Sequence, residues 1–200
     1  MLGKLPVGVG QALQGWRAGL DKTVIGRLSA TSVVPMRIQS WAFNADCWLP
    51  VKYTADGSGI SPPLEWGAAP AKASSVAIIV EDADSPTFLP LVHAIVVNLD
   101  PSGCRLPEGS LNSRARAGVG ADVGRNSYLS RAWLPPDPPP GHGAHRYLFQ
   151  VFALAGAPIL GAPGRRGFVR AISEQCIAAG CLVGQYGRSE SRMAASPRGT

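Results

Sequence analysis

Asp82, His93 and His145 are the residues of this 200-residue chain whose types could handle protons together. A protonated imidazole donates two hydrogen bonds, and a carboxylate beside it fixes its tautomer or raises its pKa. Gathered in one concavity, two imidazoles and an aspartate make a small polar site suited to a phosphate or carboxylate. Taken singly, each has a plain structural reading. A histidine among apolar strand residues is usually a hydrogen-bonded core residue, and an aspartate after a strand usually belongs to a turn. The three lie 11 and 52 residues apart, so only the fold can bring them together.

Three apolar runs are the elements that would do so. Val76–Val80, Leu91–Leu99 and Arg146–Leu154 are rich in β-branched or aromatic residues and read as buried strands. Alternation puts Asp82 on the face of Val76, Ile78 and Val80, and His93 on the face of Leu91, Ile95, Val97 and Leu99. It also puts His145 on the face of Tyr147, Phe149 and Val151. Residues 36–43 alternate in part, as a half-buried strand does, and Cys181–Tyr186 reads as a last strand. Helical spacing predicts a short helix over Gln11–Leu20 and a longer one over Arg165–Ala179, with Gly180 at C′. The stretches 57–70 and 100–144 carry turn signals throughout. Several strands, few helices and no βαβ rhythm give a mainly β, or β-rich α+β, fold. The expected organisation is an N-terminal appendage over 1–32, one domain over 33–188 and a tail over 189–200.

Composition narrows the function classes. With 24 Gly, 18 Pro and only 16% charged residues, the chain is turn-rich and does not fit a helix bundle. It has no apolar stretch of the 18 or more residues that a spanning helix needs. The net charge of +6 comes from dispersed arginines, among them Arg114, Arg116, Arg125, Arg131, Arg165 and Arg188. No basic run or aromatic alternation accompanies them, so a solvated surface is favoured over nucleic-acid binding. Four cysteines without a CxxC pair give no zinc-ribbon or thioredoxin signal; Cys47 and Cys104 are expected in loops, Cys176 and Cys181 around the end of the helix. The first thirty residues have no continuous apolar core of a secretory signal, so reduced thiols in the cytoplasm are expected.

Several ordered motifs then resemble one family. Asp82-Ala83-Asp84-Ser85-Pro86, His93 within Leu91–Leu99, and the Pro135–Leu154 stretch PPDPPPGHGAHRYLFQVFAL are similar to marks of the phosphatidylethanolamine-binding proteins. So are Tyr53-Thr54-x-Asp56-Gly57 and Ser61-Pro62-Pro63-Leu64-x-Trp66. Leu106–Gly109 and Leu182–Gly187 resemble the bacterial branch of that family, often labelled Raf kinase inhibitor-like. The resemblance runs from about Met36 to Arg188. It implies an antiparallel β-sandwich-like core with a C-terminal helix, and a pocket for phosphate-like anions and phosphorylated head groups. By position, Asp82, His93 and His145 match the pocket's Asp and two His, and Tyr147 its aromatic wall. Asp84 and Pro86 match supporting residues, and Pro138 and Pro139 the proline-rich rim. Leu91 stands where the family commonly has Trp, and Pro135 where it has Gly, which removes a backbone N–H from the rim.

The leading expectation is a non-catalytic binding module for an anionic small molecule or phosphorylated head group, with no cofactor. A protein partner and a homodimer stay open, and residues 110–131 are candidates to cover the pocket or make dimer contacts. The alternative is a hydrolase or metal-dependent enzyme using the same cluster. No G-x-S-x-G elbow or activated cysteine motif supports a nucleophile. His142-x-x-His145 is a weak metal signal, and His142 reads as a loop residue.

Overall fold

The computed structural model describes residues 2–28, 33–112 and 121–188. Its strands are β1 (Val34–Pro35), β2 (Ile38–Gln39), β3 (Cys47–Trp48), β4 (Leu64–Trp66), β5 (Ser75–Asp82), β6 (Leu91–Leu99), β7 (Arg105–Leu106), β8 (Asp122–Val123), β9 (His145–Leu154) and β10 (Cys176–Tyr186). Two α-helices accompany them, α1 (Val7–Ala12) and α2 (Arg165–Gln175). The protein is mostly β, as the apolar runs require. The larger sheet has the order β1-β10-β9-β5-β6-β8, with β3 also paired to β10; a second sheet has the order β2-β4-β7. The long strands β6, β5, β9 and β10 pair antiparallel, while β1 and β3 join β10 in parallel.

The large sheet is the middle of three layers. Val76, Ile78 and Val80 of β5, with Phe149 and Val151 of β9, pack with Leu64, Trp66 and Leu106 of the small sheet. The other face, through Ala77, Ile79, Phe152 and Leu154, meets Phe168 and Ile172 of α2 together with Val24. Burial on both faces explains why these strands read as continuous apolar runs. One charge lies on the helix side: Glu81, fully buried, takes Arg165 Nε at 2.7 Å, Gln150 Nε2 at 2.9 Å and the Val24 N–H at 2.8 Å. That cluster fastens residues 20–28 to the sheet and to α2.

The regular alternation expected of β6 is broken twice. Val80 pairs with Ala94 and Glu81 with Val92, so His93 is an extra residue on β6. A second irregularity lies between the Val76–Leu99 and Ile78–Val96 pairs, where Asn98 adopts φ +61°. Such a bulge re-aims a side chain. Ile95 and Val97 face α2, whereas the His93 ring meets Tyr147 and Trp133, both on the small-sheet side. The face-sharing of His93 with Ile95 and Val97 therefore does not hold, and the bulge is what turns His93 toward Asp82's face.

Three other element boundaries move. Over the Gln11–Leu20 span the helix stops at Ala12, because Ala18 and Gly19 give their N–H groups to the Ser85 and Ala83 carbonyls, which needs extended chain. The Arg165–Ala179 helix ends at Gln175, and Cys176 starts a strand that follows β9 to Tyr186. Gly180 is a strand residue rather than a cap: a methyl there would lie 2.0 Å from the Met36 carbonyl oxygen. Consequently Cys176 and Cys181 lie in β10, and Cys47 in β3 rather than in a loop. Of residues 36–43 only Ile38–Gln39 pairs as a strand. All four cysteines are free thiols. Among the described residues no helix is long and apolar enough to cross a membrane.

Candidate functional site

The ends of β5, β6 and β9 meet at one corner of the large sheet. Asp82, last in β5, pairs with Tyr147 of β9 on one side and Leu91 of β6 on the other. His145 opens β9 two residues before Tyr147 and so shares its face. Together with the bulged His93, this register gathers the four polar side chains. Each is almost wholly buried.

Asp82 Oδ2 and His145 Nδ1 are 2.7 Å apart, and His145 Nε2 is 2.7 Å from Nδ1 of His142. The far nitrogen of His142 meets the carbonyl oxygens of Leu13 at 2.8 Å and Trp16 at 3.2 Å. Carbonyls only accept, so His142 Nε2 carries a proton. The ring-to-ring contact and the contact with Asp82 continue this into one chain, Asp82–His145–His142, and burial together with the neighbouring His145 pushes the His142 pKa below its ordinary value.

His93 is bound differently. Its Nδ1 lies 2.6 Å from the Leu134 carbonyl oxygen, so that nitrogen donates and Nε2 is left as a bare acceptor. Nε2 is buried and without a hydrogen-bond partner, as are Tyr147 Oη and Asp137 Oδ2. Burial holds the His93 pKa below its ordinary value, against the opposing pull of Asp82. Burial and the nearby Asp82 push the Tyr147 phenol well above its own. Tyr147 packs edge-on to His93, with ring centroids 5.1 Å apart, and stacks at 6.3 Å on His145.

In front of His93 opens a cavity of about 320 Å³. Asp82, His93 and Leu91 form its floor side; Leu134, Pro135 and Asp137 form one wall, Ala55 and Gly57–Gly59 another. Tyr128 and Leu2 complete the mouth. His145 and Tyr147 stand one layer behind the lining. Among the described residues no Lys or Arg lines this cavity. Arg188, which holds Asp137 of this wall, binds Asp56, Asp137 Oδ1 at 2.8 Å and the Pro138 carbonyl at 2.6 Å. A wider groove of about 490 Å³ on the small sheet, beside Arg37, Glu65 and Arg105, shares no residue with the cluster.

The supporting residues named from the sequence sit around this corner. Asp84 receives the Arg146 backbone N–H at 2.8 Å and its guanidinium at 2.7 Å, and Arg17 at 3.0 Å. Burial alone would raise its pKa, but the two arginines bring the carboxyl down to about 2. Pro86 is half-buried in the turn after β5, and Pro138 and Pro139 are buried in the wall loop. Neither Asp84 nor these prolines lines the cavity. Sequence reasoning passed over Leu134, Asp137 and Leu2. It also left His142 as a loop residue, although it is fully buried. Of residues 110–131, Tyr128 reaches the mouth, and 113–120 lie outside the described residues.

The family model described as phosphatidylethanolamine-binding protein matches residues 39–187. The chain belongs to that family. Relatives described as UPF0098 proteins include one from Pyrococcus abyssi, 35% identical over 154 residues, covering 74% of this chain and 84% of the relative. Another, from Methanothermobacter thermautotrophicus, is 35% identical over 119 residues, covering 60% and 76%. A crystal structure from Chlamydia trachomatis, described as a homologue of phosphatidylethanolamine-binding protein, superposes with a TM-score of 0.68 at 32% identity, over 77% of this chain and 98% of that one. Escherichia coli YbcL, described as a member of the mammalian family, superposes with a TM-score of 0.70 at 24% identity, over 76% and 98%, and is alike in fold. The match to the phosphatidylethanolamine-binding protein model starts inside β2 and takes in the whole Asp82–His93–His145 corner. Residues 2–28, which supply the Leu13 and Trp16 carbonyls and Leu2, lie outside it.

Proposed function

We propose that the chain binds a small phosphate-like ligand reversibly in the cavity before His93, without covalent chemistry. The observation that carries this reading is the set of buried polar atoms left without partners at one place: His93 Nε2, Asp137 Oδ2 and, behind them, Tyr147 Oη. Buried polar groups are nearly always satisfied, so three orphans around a cavity mark a place where a ligand or solvent completes the hydrogen bonds. The cavity, of about 320 Å³, is of the size a head-group-sized molecule fills. Family membership supports the same reading.

Two features favour binding over catalysis. In a nucleophile–His–Asp arrangement the imidazole nitrogen turned away from the carboxylate must face the nucleophile. Here that atom, His145 Nε2, is bonded to His142. The cavity's hydroxyl from Ser58 is likewise given to the Lys52 carbonyl at 3.2 Å. A metal held by His142 and His145 would need ring nitrogens that their mutual bond and the bonds to Asp82 and the two carbonyls already use. On this reading any regulation of a protein partner is secondary to occupancy of the cavity.

Calorimetric titration with phosphate, phosphoethanolamine and acetate tests the proposal on the wild type and on His93→Ala. The expected result is saturable binding of at least one ligand, weakened at least about tenfold by the substitution. Equal binding by both proteins would remove His93 from the site.

A further inference from the structure

We infer that residues 2–16 form a strap over the cavity, hinged just before Arg17, that has to lift before a ligand enters or leaves. Gating of this kind concerns the cavity proposed above as a binding site and rests on that reading. It follows from the different ways in which the two halves of the N-terminal segment are held.

From Ala18 onward the segment is built into the large sheet. The Ala18 and Gly19 N–H groups bond the Ser85 and Ala83 carbonyls at 3.0 and 2.8 Å. Val24 is buried on the α2 side of the sheet, and its N–H donates to buried Glu81 at 2.8 Å. Residues 2–16 are held otherwise. Only Gly10 among them is buried, and Val7, Val9 and Trp16 stay exposed. They are fastened to the wall loop of the cavity. Gln14 Nε2 donates to the Gly141 carbonyl at 2.6 Å, and the His142 ring binds the Leu13 and Trp16 carbonyls. Gly10 sits so close to this loop that a methyl on it would lie 1.9 Å from the Pro140 carbonyl oxygen. The Trp16 ring adds an edge contact with Phe88, itself exposed. A segment with little buried apolar surface and a few peripheral hydrogen bonds opens locally, at a free energy below that of global unfolding.

The far end of the strap lies where it controls passage. Leu2 is part of the cavity mouth. Gly3 rests on the ion pair between Arg188 and Asp137: a methyl there would lie 2.0 Å from Arg188 Nη1 and 2.1 Å from Asp137 Oδ1. The docked strap therefore covers the ion pair of the wall and narrows the opening, and lifting it uncovers both. Gly15, where an added methyl would meet nothing within 4 Å, gives the pivot. Arg17 beyond it is fixed by Asp84 at 3.0 Å and by the Ala144 carbonyl at 3.0 Å. A gate of this kind governs rates rather than affinity, because it obstructs entry and exit alike.

Two measurements on the full chain test the gate, with Gln14→Ala and Gly10→Val as variants; neither residue lines the cavity. Native-state hydrogen exchange needs no ligand. In the wild type the Leu13 and Trp16 amides, bonded within the strap, should exchange at least about a hundredfold faster than those of Val24 and Ile25, which are bonded to Glu81 and Gln150. Gln14→Ala should speed strap exchange about fivefold further, the factor of one lost hydrogen bond, and Gly10→Val by more. Stopped-flow binding of phosphoethanolamine should then show association and dissociation both about fivefold faster in Gln14→Ala, with the affinity unchanged within about twofold. Strap amides as protected as those of Val24 and Ile25 overturn the hinge. Rates equal to wild type in both variants, or an altered affinity with unchanged dissociation, overturn the gate. Saturable binding by none of the three proteins removes the binding reading instead, and with it anything to gate.

Discussion

Asp84 illustrates how much of this corner is electrostatic construction. It is buried, yet two guanidiniums and a backbone N–H hold its carboxyl at about 2, below an unfolded value of 3.8. A depressed folded pKa contributes stability that is fully present above the unfolded value and is lost as pH falls through the folded one. The shift corresponds to about 2 kcal/mol. Urea unfolding of Asp84→Asn at pH 7 should therefore show a loss of about that size, and the gap to wild type should close between pH 4 and pH 2. A gap that stays constant down to pH 2 would mean that the carboxylate charge is not what the arginines hold. At this scale the sequence was legible where a side chain's face follows from simple alternation: Asp82, His145 and Tyr147 sit on the faces their spacing gives. His93 reached the same corner for a different reason, since a bulge cannot be read from composition. His142 was missed because its partners, the Leu13 and Trp16 carbonyls, are 129 and 126 residues away in sequence.

Among the elements, α1 shows what decides a boundary that periodicity misplaces. Apolar spacing argued for a helix over Gln11–Leu20, but the α-helix covers Val7–Ala12, and Ala18 and Gly19 then bond the Ser85 and Ala83 carbonyls before a single 3-10 turn at Leu20–Lys22. Tertiary hydrogen bonds override a marginal propensity, as they readily do in a segment this short. The helix docks through a glycine: a methyl on Gly10 would lie 1.9 Å from the Pro140 carbonyl oxygen, while one on Gly8 meets nothing within 4 Å. Gly8→Ala should stabilise the protein by about 0.5–1 kcal/mol, the ordinary gain in a helix interior. Gly10→Val should instead destabilise it and raise hydrogen exchange over residues 7–19. Matching effects of the two substitutions would contradict the docking of α1 on the wall loop. The junction of α2 with β10 was illegible for a related reason. Phe168, Ile172, Cys176 and Ala179 fit a helical face, but pairing with β9 along the length of β10 takes Cys176 onward into the sheet.

Across the whole molecule, the N-terminal segment packs directly onto the corner. Leu2 stands at the cavity mouth, Arg17 binds Asp84, and the turn after α1 closes the far end of the Asp82–His145–His142 chain. Among the described residues the cavity lining holds two carboxylates and an imidazole, and no arginine or lysine. The central claim is that a small phosphate-like ligand completes the hydrogen bonds of His93. The chain has only three histidines, His93, His142 and His145, so their six ring nitrogens can be resolved by ¹⁵N NMR. Titration with phosphate should shift His93 Nε2 from an unprotonated position and saturate, while the nitrogens of His142 and His145 stay nearly unmoved. A His93 Nε2 signal that does not respond, or that moves no more than the other two rings, would contradict the account.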